Sequence, residues 1–485
     1  MCVRRQIGGN SRQENFSWLE EVSQEVNEQP RGFFTEEDNI TGKAIQVALA
    51  SLEKRTREDI PSPSGACPGS LQQTFSYFYR PIPALRRLID RFTFREGGCD
   101  RFLFREIVEE IELRVTGNVS HSKDSREAYI SLIRKVRNGG NCTAEAKKAA
   151  YNLFFLPHFF PIIKRHALSQ LPELGGVHSV ETFANAYKIL QARLPVPHVE
   201  IENSPPFDPI LLGNIPFSWR RITLNEGSDC LLLRMPSATT DIVTEEGIPF
   251  YVDIPYQPPP RVTDIAITEE FQYYIAARRD REERHLYVNL QTLLGGPESL
   301  RSQALIEFGQ RSDGSCLVVC LDKNSPFYRQ RTTPETQSTD VFYNQLASSF
   351  HSGLYSWPHG ISVLDLTSIL ESAMTAVRNR YDFGDDLSRN RRQVLIDLVH
   401  TEIIHHLLQY YKPVATNISC KNCIDRGIAQ QMELIATTQA EEEFFSEDNL
   451  AITFGPSYLV SNRPMQAERF SRLTEVLDVI FKNKR

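Results

Sequence analysis

The residues with the clearest chemical potential are Cys420 and Arg426, at the two ends of Cys420-Lys421-Asn422-Cys423-Ile424-Asp425-Arg426, followed by Gly427. A thiol attacks as its thiolate, and its free pKa of about 8.5 drops beside positive charge or at a helix N-terminus. An arginine offers a planar fork that holds two oxygens of one phosphate. The pair suits in-line attack of sulfur on phosphorus, giving a phosphocysteine intermediate that water later hydrolyses. Lys421 adds a second cation, and the backbone of Lys421, Asn422, Cys423, Ile424 and Gly427 supplies the rest of a phosphate cradle. This chemistry calls for no cofactor and no metal.

Spacing alone is weak evidence, because Cys99-Asp100-Arg101-Phe102-Leu103-Phe104-Arg105 repeats it. That second match has Phe102, Leu103 and Phe104 inside, which suit a helix, and no strand precedes it. Around Cys420 the context differs. Val414 to Ser419 reads as a short strand after Pro413, and Ile428 to Ile435 as a helix. Strand, tight loop and helix together aim successive N–H groups and a helix N-terminus at one point, which is a ready anion site. Upstream, Arg284 to Leu290 and Ser315 to Leu321 read as strands, the second apolar on both faces and so central in a sheet. Helices are expected over Asp340 to Ser352, Thr367 to Arg380 and Arg391 to Tyr411, the last with Val394, Leu398, Ile403 and Leu407 on a broad apolar face.

The loop resembles that of the Sac-type phosphoinositide phosphatases, Cys-x-x-Cys-hydrophobic-Asp-Arg, at Cys420, Cys423, Ile424, Asp425 and Arg426. It is also similar to the loop Cys-Lys-Ser-Gly-Lys-Asp-Arg-Thr of inositol phosphate phosphatases that pathogenic bacteria inject into host cells, at Cys420, Lys421, Asp425 and Arg426. The likeness spans residues 401–435, with a weaker echo from Cys316 to Tyr328 that ends Leu321-Asp322-Lys323-Asn324-Ser325-Pro326-Phe327-Tyr328. The resemblance implies an α+β protein with a cysteine-phosphatase-like core, a small central sheet carrying a strand–loop–helix motif. It implies hydrolysis of phosphoinositide or inositol phosphate monoesters, with Asp425 protonating the leaving oxygen or orienting Arg426. It also implies peripheral contact with a membrane and delivery into the cytoplasm of a host cell. Two departures stand out. Gly427 occupies the place of a Thr or Ser whose hydroxyl helps release phosphate from sulfur, so either turnover is slow or another hydroxyl substitutes. Ile424 replaces the second loop lysine, which leaves Lys421 alone to read extra phosphates and points to a phosphatidylinositol monophosphate.

Other readings compete at several positions. Cys420 and Cys423 form C-x-x-C, but zinc needs further ligands, and His405 and His406, adjacent on a helix, diverge by about 100°. Cys423 is either a reversible disulfide partner that protects Cys420 or simply a small loop residue. Ser356-Trp357-Pro358-His359-Gly360 is similar to the acid-bearing Trp-Pro-Asp loop of protein tyrosine phosphatases with the aspartate absent, and it reads as an ordinary turn. Asp382, Asp385 and Asp386 read as a solvated acidic turn. Protein tyrosine or dual-specificity phosphatase activity remains an alternative, as does a non-catalytic module that binds a phosphoinositide headgroup without turning it over.

Composition bounds the rest. With 485 residues, 41% of them hydrophobic and 24% charged, the chain has material for two or three domains with ordinary cores. A net charge of -7 gives no general attraction for nucleic acid, so anions must be held by a local cluster of donors. Nine scattered cysteines do not make a secreted disulfide framework, which favours reduced thiols and a cytosolic working place. The first residues lack the apolar run of a Sec signal. The most apolar stretch, Tyr151 to Ile163, is too short for a spanning helix and reads as buried core rather than as a membrane wedge. Residues 1–70 read as a polar tail with one short helix over 40–56 and a Pro/Ser/Gly linker over 61–69. Residues 71–200 read as a mainly helical region and 201–485 as the phosphatase domain, with Arg389-Asn390-Arg391-Arg392 as a basic helix start able to face an anionic membrane.

Overall fold

The computed structural model describes residues 177–193, 216, 218–223, 229–243, 262–330, 333–446, 449–450, 453–454 and 464–484. The expected tail, linker, most of the helical region, the Cys99 match and the apolar stretch after Tyr151 lie outside these residues. What is described falls within one compact unit, Phe154–Arg485, of mixed helix and sheet.

The sheet has six strands in the order β1-β2-β10-β5-β6-β8. They are β1 (Ser218–Thr223), β2 (Asp229–Arg234), β5 (His285–Asn289), β6 (Cys316–Leu321), β8 (Tyr355–Ser356) and β10 (Ala415–Ser419). The central strands β2, β10, β5 and β6 run parallel, while β1 and β8 close the edges antiparallel, so the sheet is mixed. Every residue of β5, β6 and β10 is buried, as strands covered on both faces must be. β6 is an unbroken apolar run, whereas β5 and β10 mix apolar residues with His285, Asn289, Thr416, Asn417 and Ser419; all three were nonetheless readable in the sequence as strands. Two small antiparallel pairs lie apart, β3 (Thr239–Val243) with β4 (Val262–Ile267), and β7 (Thr336–Ser338) with β9 (Asp386–Ser388).

The helices are α1 (Val180–Arg193), α2 (Glu269–Arg279), α3 (Gly296–Arg311), α4 (Pro326–Arg329), α5 (Thr339–Ser349), α6 (Val363–Arg380), α7 (Arg389–Tyr411), α8 (Arg426–Thr438), α9 (Glu441–Phe444) and α10 (Ala467–Lys482). Several begin where a hydroxyl satisfies a first-turn N–H: Ser325 accepts from Tyr328, Ser362 from Asp365 and Ser388 from Arg391. α7 ends with Lys412 in the left-handed region, followed by Pro413, which cannot continue a helix. It is the central helix, packed against α6, α8 and α10 and buried without interruption from Arg392 to Ile404. The apolar stripe read from the sequence is therefore only one of its covered sides.

α1 is seated in the same core. Phe183 meets the rings of Phe445, Phe454 and Phe470 at 5.7, 5.3 and 5.2 Å, and Tyr187 stacks on Phe470 at 3.7 Å. Among the described residues no helix is long and apolar enough to cross a membrane.

Candidate functional site

β10 delivers the Cys420 loop to the carboxyl edge of the parallel strands, the side on which open α/β sheets bind ligands. The strand is pinned before the loop begins. Thr416 donates to the Leu286 carbonyl at 2.8 Å, Asn417 meets His285 at 2.6 Å, and Ser419 donates to the Met235 carbonyl at 2.6 Å. The loop itself is held by the segment after β2: Ser237 N donates to the Lys421 carbonyl at 3.0 Å and Arg234 Nη2 to the Cys423 carbonyl at 3.2 Å. α8 then starts at Arg426, as the strand, loop and helix pattern predicts.

Cys420 is buried with a free thiol at the loop's entrance. Arg426, on the first turn of α8, turns its end-on fork to Glu298 of α3: Nη1 to Oε2 is 3.0 Å and Nη2 to Oε1 is 2.6 Å, while Nη1 also donates to the Leu290 carbonyl at 3.0 Å. A guanidinium has five N–H donors. These bonds use both donors of Nη1 and one of Nη2. The remaining Nη2–H and the Nε–H lie along the side of the fork, a second bidentate edge for phosphate oxygens. Burial works against the charge on Arg426, but Glu298, Cys420 and Asp425 outweigh it and raise its pKa. Burial also works to raise Glu298, and Arg426 with the Thr292 N–H and Asn324 reverses that, holding the carboxylate below its ordinary range.

Arg234 is a second cation beneath the loop. Burial pulls it down to about 9 against the opposing pull of Cys423 and Cys420. It ends an apolar strand, Leu231-Leu232-Leu233-Arg234, and that placement of a charge was the only signal the sequence offered. Glu298 left no signal beyond following Gly295-Gly296-Pro297 at a helix start.

The remaining loop residues divide in role. Lys421 is half exposed and pairs with Asp241 at 3.5 Å, while Asp241 also grips Arg301 at 2.7 and 2.5 Å, so Lys421 stands on the rim. Asn422 is partly buried beside it. Ile424 is buried. Asp425 accepts from the backbone N–H of Gln466 at 2.8 Å, tying the loop to the start of α10. Cys423 has a positive φ of 51°, and its Sγ donates to the Ile418 carbonyl at 3.3 Å. Burial pushes that thiol up to about 12. Gly427 lies against it: a Cβ there would stand 2.5 Å from Cys423 Sγ and 2.9 Å from the Ile418 carbonyl oxygen. The hydroxyl-bearing side chain expected after the arginine has no room.

Beside Arg426 a small cleft opens between α8 and α10, lined by Lys323, Tyr328, Asp397, Arg426, Ala429, Glu433, Arg469 and Arg472. At its floor Lys323 Nζ lies 2.7 Å from Asp397 and 3.2 Å from Glu433, all three buried, and Tyr328 donates to Asp397 at 2.9 Å. Burial alone disfavours charge on each. Lys323 nonetheless holds Asp397 below its ordinary range, whereas burial and Asp397 lift Glu433 to about 7. Lys323 and Tyr328 belong to the stretch whose similarity to bacterial phosphatases was noted, and it forms the loop at the carboxyl end of β6, next to the site.

Other candidates stay away from the loop. Ser356 ends β8, Trp357 stacks on Tyr355, and a turn at His359 and Gly360 follows, with φ 84° at Gly360. Asp382 and Asp385 are exposed on the segment before β9, and Asp386, also exposed, is the first residue of that strand. Arg392 is buried on Gln330 and the Leu387 carbonyl, which leaves only Arg389 and Arg391 of the basic helix start exposed. Among the described residues no group of three or more His, Cys, Asp or Glu is placed to hold a metal ion. Comparison with protein-family profiles, with curated proteins and with solved structures finds no match to this chain.

Proposed function

We propose that this protein hydrolyses phosphate monoesters of inositol phosphates or phosphoinositides through a phosphocysteine at Cys420. The observation that carries the reading is Cys420 between a buried parallel strand and the first turn of α8, with the charge of Arg426 on that turn close enough to interact with the thiol. The Cys420 sulfur attacks phosphorus, an S–P bond forms, and the bond to the leaving oxygen breaks as that oxygen takes a proton. Water then attacks the phosphocysteine, releasing phosphate and restoring the thiolate. Arg426 holds the equatorial oxygens as their charge grows, and Glu298 keeps the guanidinium charged and oriented. Asp425 serves as the acid or helps set Arg426. The inositol class, a membrane-bound substrate and delivery into a host cell rest on the loop's likeness to the Sac-type and bacterial phosphatases.

A binding module is the second reading, and Gly427 favours it, because no hydroxyl fits where release of phosphate from sulfur is usually assisted. Phosphate release from short-chain phosphoinositides decides between the two. Wild-type protein should release phosphate, and Cys420→Ser should bind the same lipids while turnover falls to background. Headgroup binding without any phosphate release by wild-type protein leaves the binding module standing and removes the enzyme.

A further inference from the structure

We propose that Asp241 is a specificity-determining residue: clamped by buried Arg301, it engages the ammonium of Lys421 and restricts the site to rings with a hydroxyl, not a second phosphate, next to the phosphate that Cys420 attacks. The proposal rests on the reading of Cys420 and Arg426 as the site of the reacting phosphate, and it names the substrate class as monophosphorylated rings.

Lys421 follows Cys420 directly and is the exposed cation of the loop, whereas Arg426 is buried against Glu298. A second phosphate on a substrate would meet Lys421 first. That ammonium already has a partner, Asp241 Oδ2 at 3.5 Å. Ile424 leaves the loop one cation short of similar loops, and Asp241 occupies the other.

Asp241 is itself fixed from the interior. Arg301 donates from Nε to Oδ1 at 2.7 Å and from Nη2 to Oδ2 at 2.5 Å, a fork-to-carboxylate pair. Arg301 Nη1 also donates to Gln291 Oε1 at 3.4 Å, Gln291 Nε2 to Ser237 Oγ at 3.4 Å, and Ser237 N to the Lys421 carbonyl at 3.0 Å. The contacts close on Lys421, so the segment 237–241 grips both its main chain and its ammonium. Side-chain exposure rises along the charges, from 5% at Arg301 through 20% at Asp241 to 52% at Lys421. Burial works to raise the Asp241 carboxyl, but Arg301 and then Lys421 outweigh it and hold the group below its ordinary range. It is therefore charged at neutral pH.

α3 positions this pair and the catalytic arginine together. Glu298 and Arg301 are three residues apart, neighbours on one helix face, and Glu298 takes the fork of Arg426 while Arg301 takes Asp241. An ionised carboxylate only accepts hydrogen bonds. Asp241 can accept from a ring hydroxyl, and it repels phosphate oxygens that approach the ammonium it partners.

The test measures kcat/KM for short-chain phosphatidylinositol monophosphates and bisphosphates, all isomers, and for soluble inositol monophosphates and bisphosphates. Wild-type protein, Asp241→Asn and Arg301→Gln are compared, and calorimetry measures binding of the same ligands with and without Cys420→Ser. Wild-type protein should prefer monophosphates. Asp241→Asn releases Lys421 and should raise the bisphosphate-to-monophosphate ratio by about fivefold, the scale of a partly exposed charge pair. Arg301→Gln leaves Asp241 without its buried partner and should lower the ratio. Both changes break the same buried pair, so a purely structural role moves both variants in one direction. In a Lys421→Met background the effect of Asp241→Asn should largely disappear. If melting shows either single variant unfolded, Asp241→Asn/Arg301→Gln removes both charges together and should still raise the ratio.

A ratio unchanged by Asp241→Asn overturns the proposal, as does wild-type preference for a bisphosphate or a full-sized rise in the Lys421→Met background. Monophosphate-selective binding with the same two opposite shifts, by a protein that releases no phosphate, removes the catalytic reading and leaves the role of Asp241. Failure to bind any of these ligands overturns both. Equal shifts for soluble and lipid ligands assign the selection to the ring. Shifts confined to the lipids assign Asp241 to the membrane surface and overturn the proposal.

Discussion

Gly427 illustrates how a single position reads differently in sequence and in space. By comparison with similar loops it is a missing hydroxyl; in the fold it is the one residue that lets α8 close over Cys423. An added Cβ would meet both Cys423 Sγ and the Ile418 carbonyl at under 3.0 Å, with the Cys420 backbone nitrogen at 3.4 Å. Overpacking of this kind costs about 1–3 kcal/mol. Gly427→Ala should therefore lower the urea unfolding midpoint and depress phosphate release further than stability alone accounts for, because the strain falls on the nucleophile's own backbone. Adding Cys423→Ala should restore part of the loss but not all, since the Ile418 carbonyl remains in place. If Gly427→Ala unfolds at the wild-type midpoint, the close packing does not exist. Cys423 accordingly has a structural role, with its sulfur facing the Ile418 carbonyl and Gly427.

At the level of elements, the strand, loop and helix that carry Cys420 were legible, whereas the elements that complete the site were not. β10 and α8 announce themselves locally: an unbroken strand run follows Pro413, and α8 has good helix formers immediately after the loop. Glu298 reaches Arg426 from 128 residues away, and nothing local in α3 says where its first turn will lie. α10 did have a helical pattern, Phe470, Leu473, Leu477 and Ile480, with Arg469 and Arg472 three apart, but charges on an amphipathic helix ordinarily mark its wet face. Only tertiary packing shows that these two are buried. α3 reaches its position by a close approach: a Cβ at Gly309 would stand 2.8 Å from Val318 Cγ2 of β6. Gly309→Ala should push α3 off the sheet, cost about 1–3 kcal/mol in denaturant unfolding, and reduce kcat/KM by loosening Glu298 from Arg426. Wild-type activity at reduced stability would show that Glu298 does not need α3 in this seat.

For the molecule as a whole, buried titratable groups set a pH window. Burial holds His285 down to about 4 and His400 to about 3, both neutral in the fold. Unfolded histidine titrates near 6.5, so between about 4 and 6.5 the unfolded chain binds more protons, and stability falls as pH falls through that range. Each contributes a slope of up to about 1.4 kcal/mol per pH unit. Glu433, lifted to about 7, pulls the opposite way from about 4.5 to 7, because there the folded chain holds the extra proton. Two groups against one leave a net loss on acidification. Urea unfolding at pH 7 and pH 5 should show the protein weaker at pH 5, and His400→Gln should flatten the dependence. A protein equally stable at both values would place these histidines in contact with water.

The position of β10 in the sheet also bears on how the chain folds. This strand lies between β2 and β5, and its bonds to them close loops of 130 residues to Leu286 and 184 to Met235. Both neighbours precede it in the chain, so β10 is the last of the six strands in sequence and completes the middle of the sheet. Closing such long loops before any pairing repays them is a slow step, and until it is complete β2 and β5 present unpaired edges that invite association with other chains. The segment that carries the nucleophile is thus also the one that seals the sheet, and any species with a formed catalytic loop has already passed the stage at which it is most prone to aggregate.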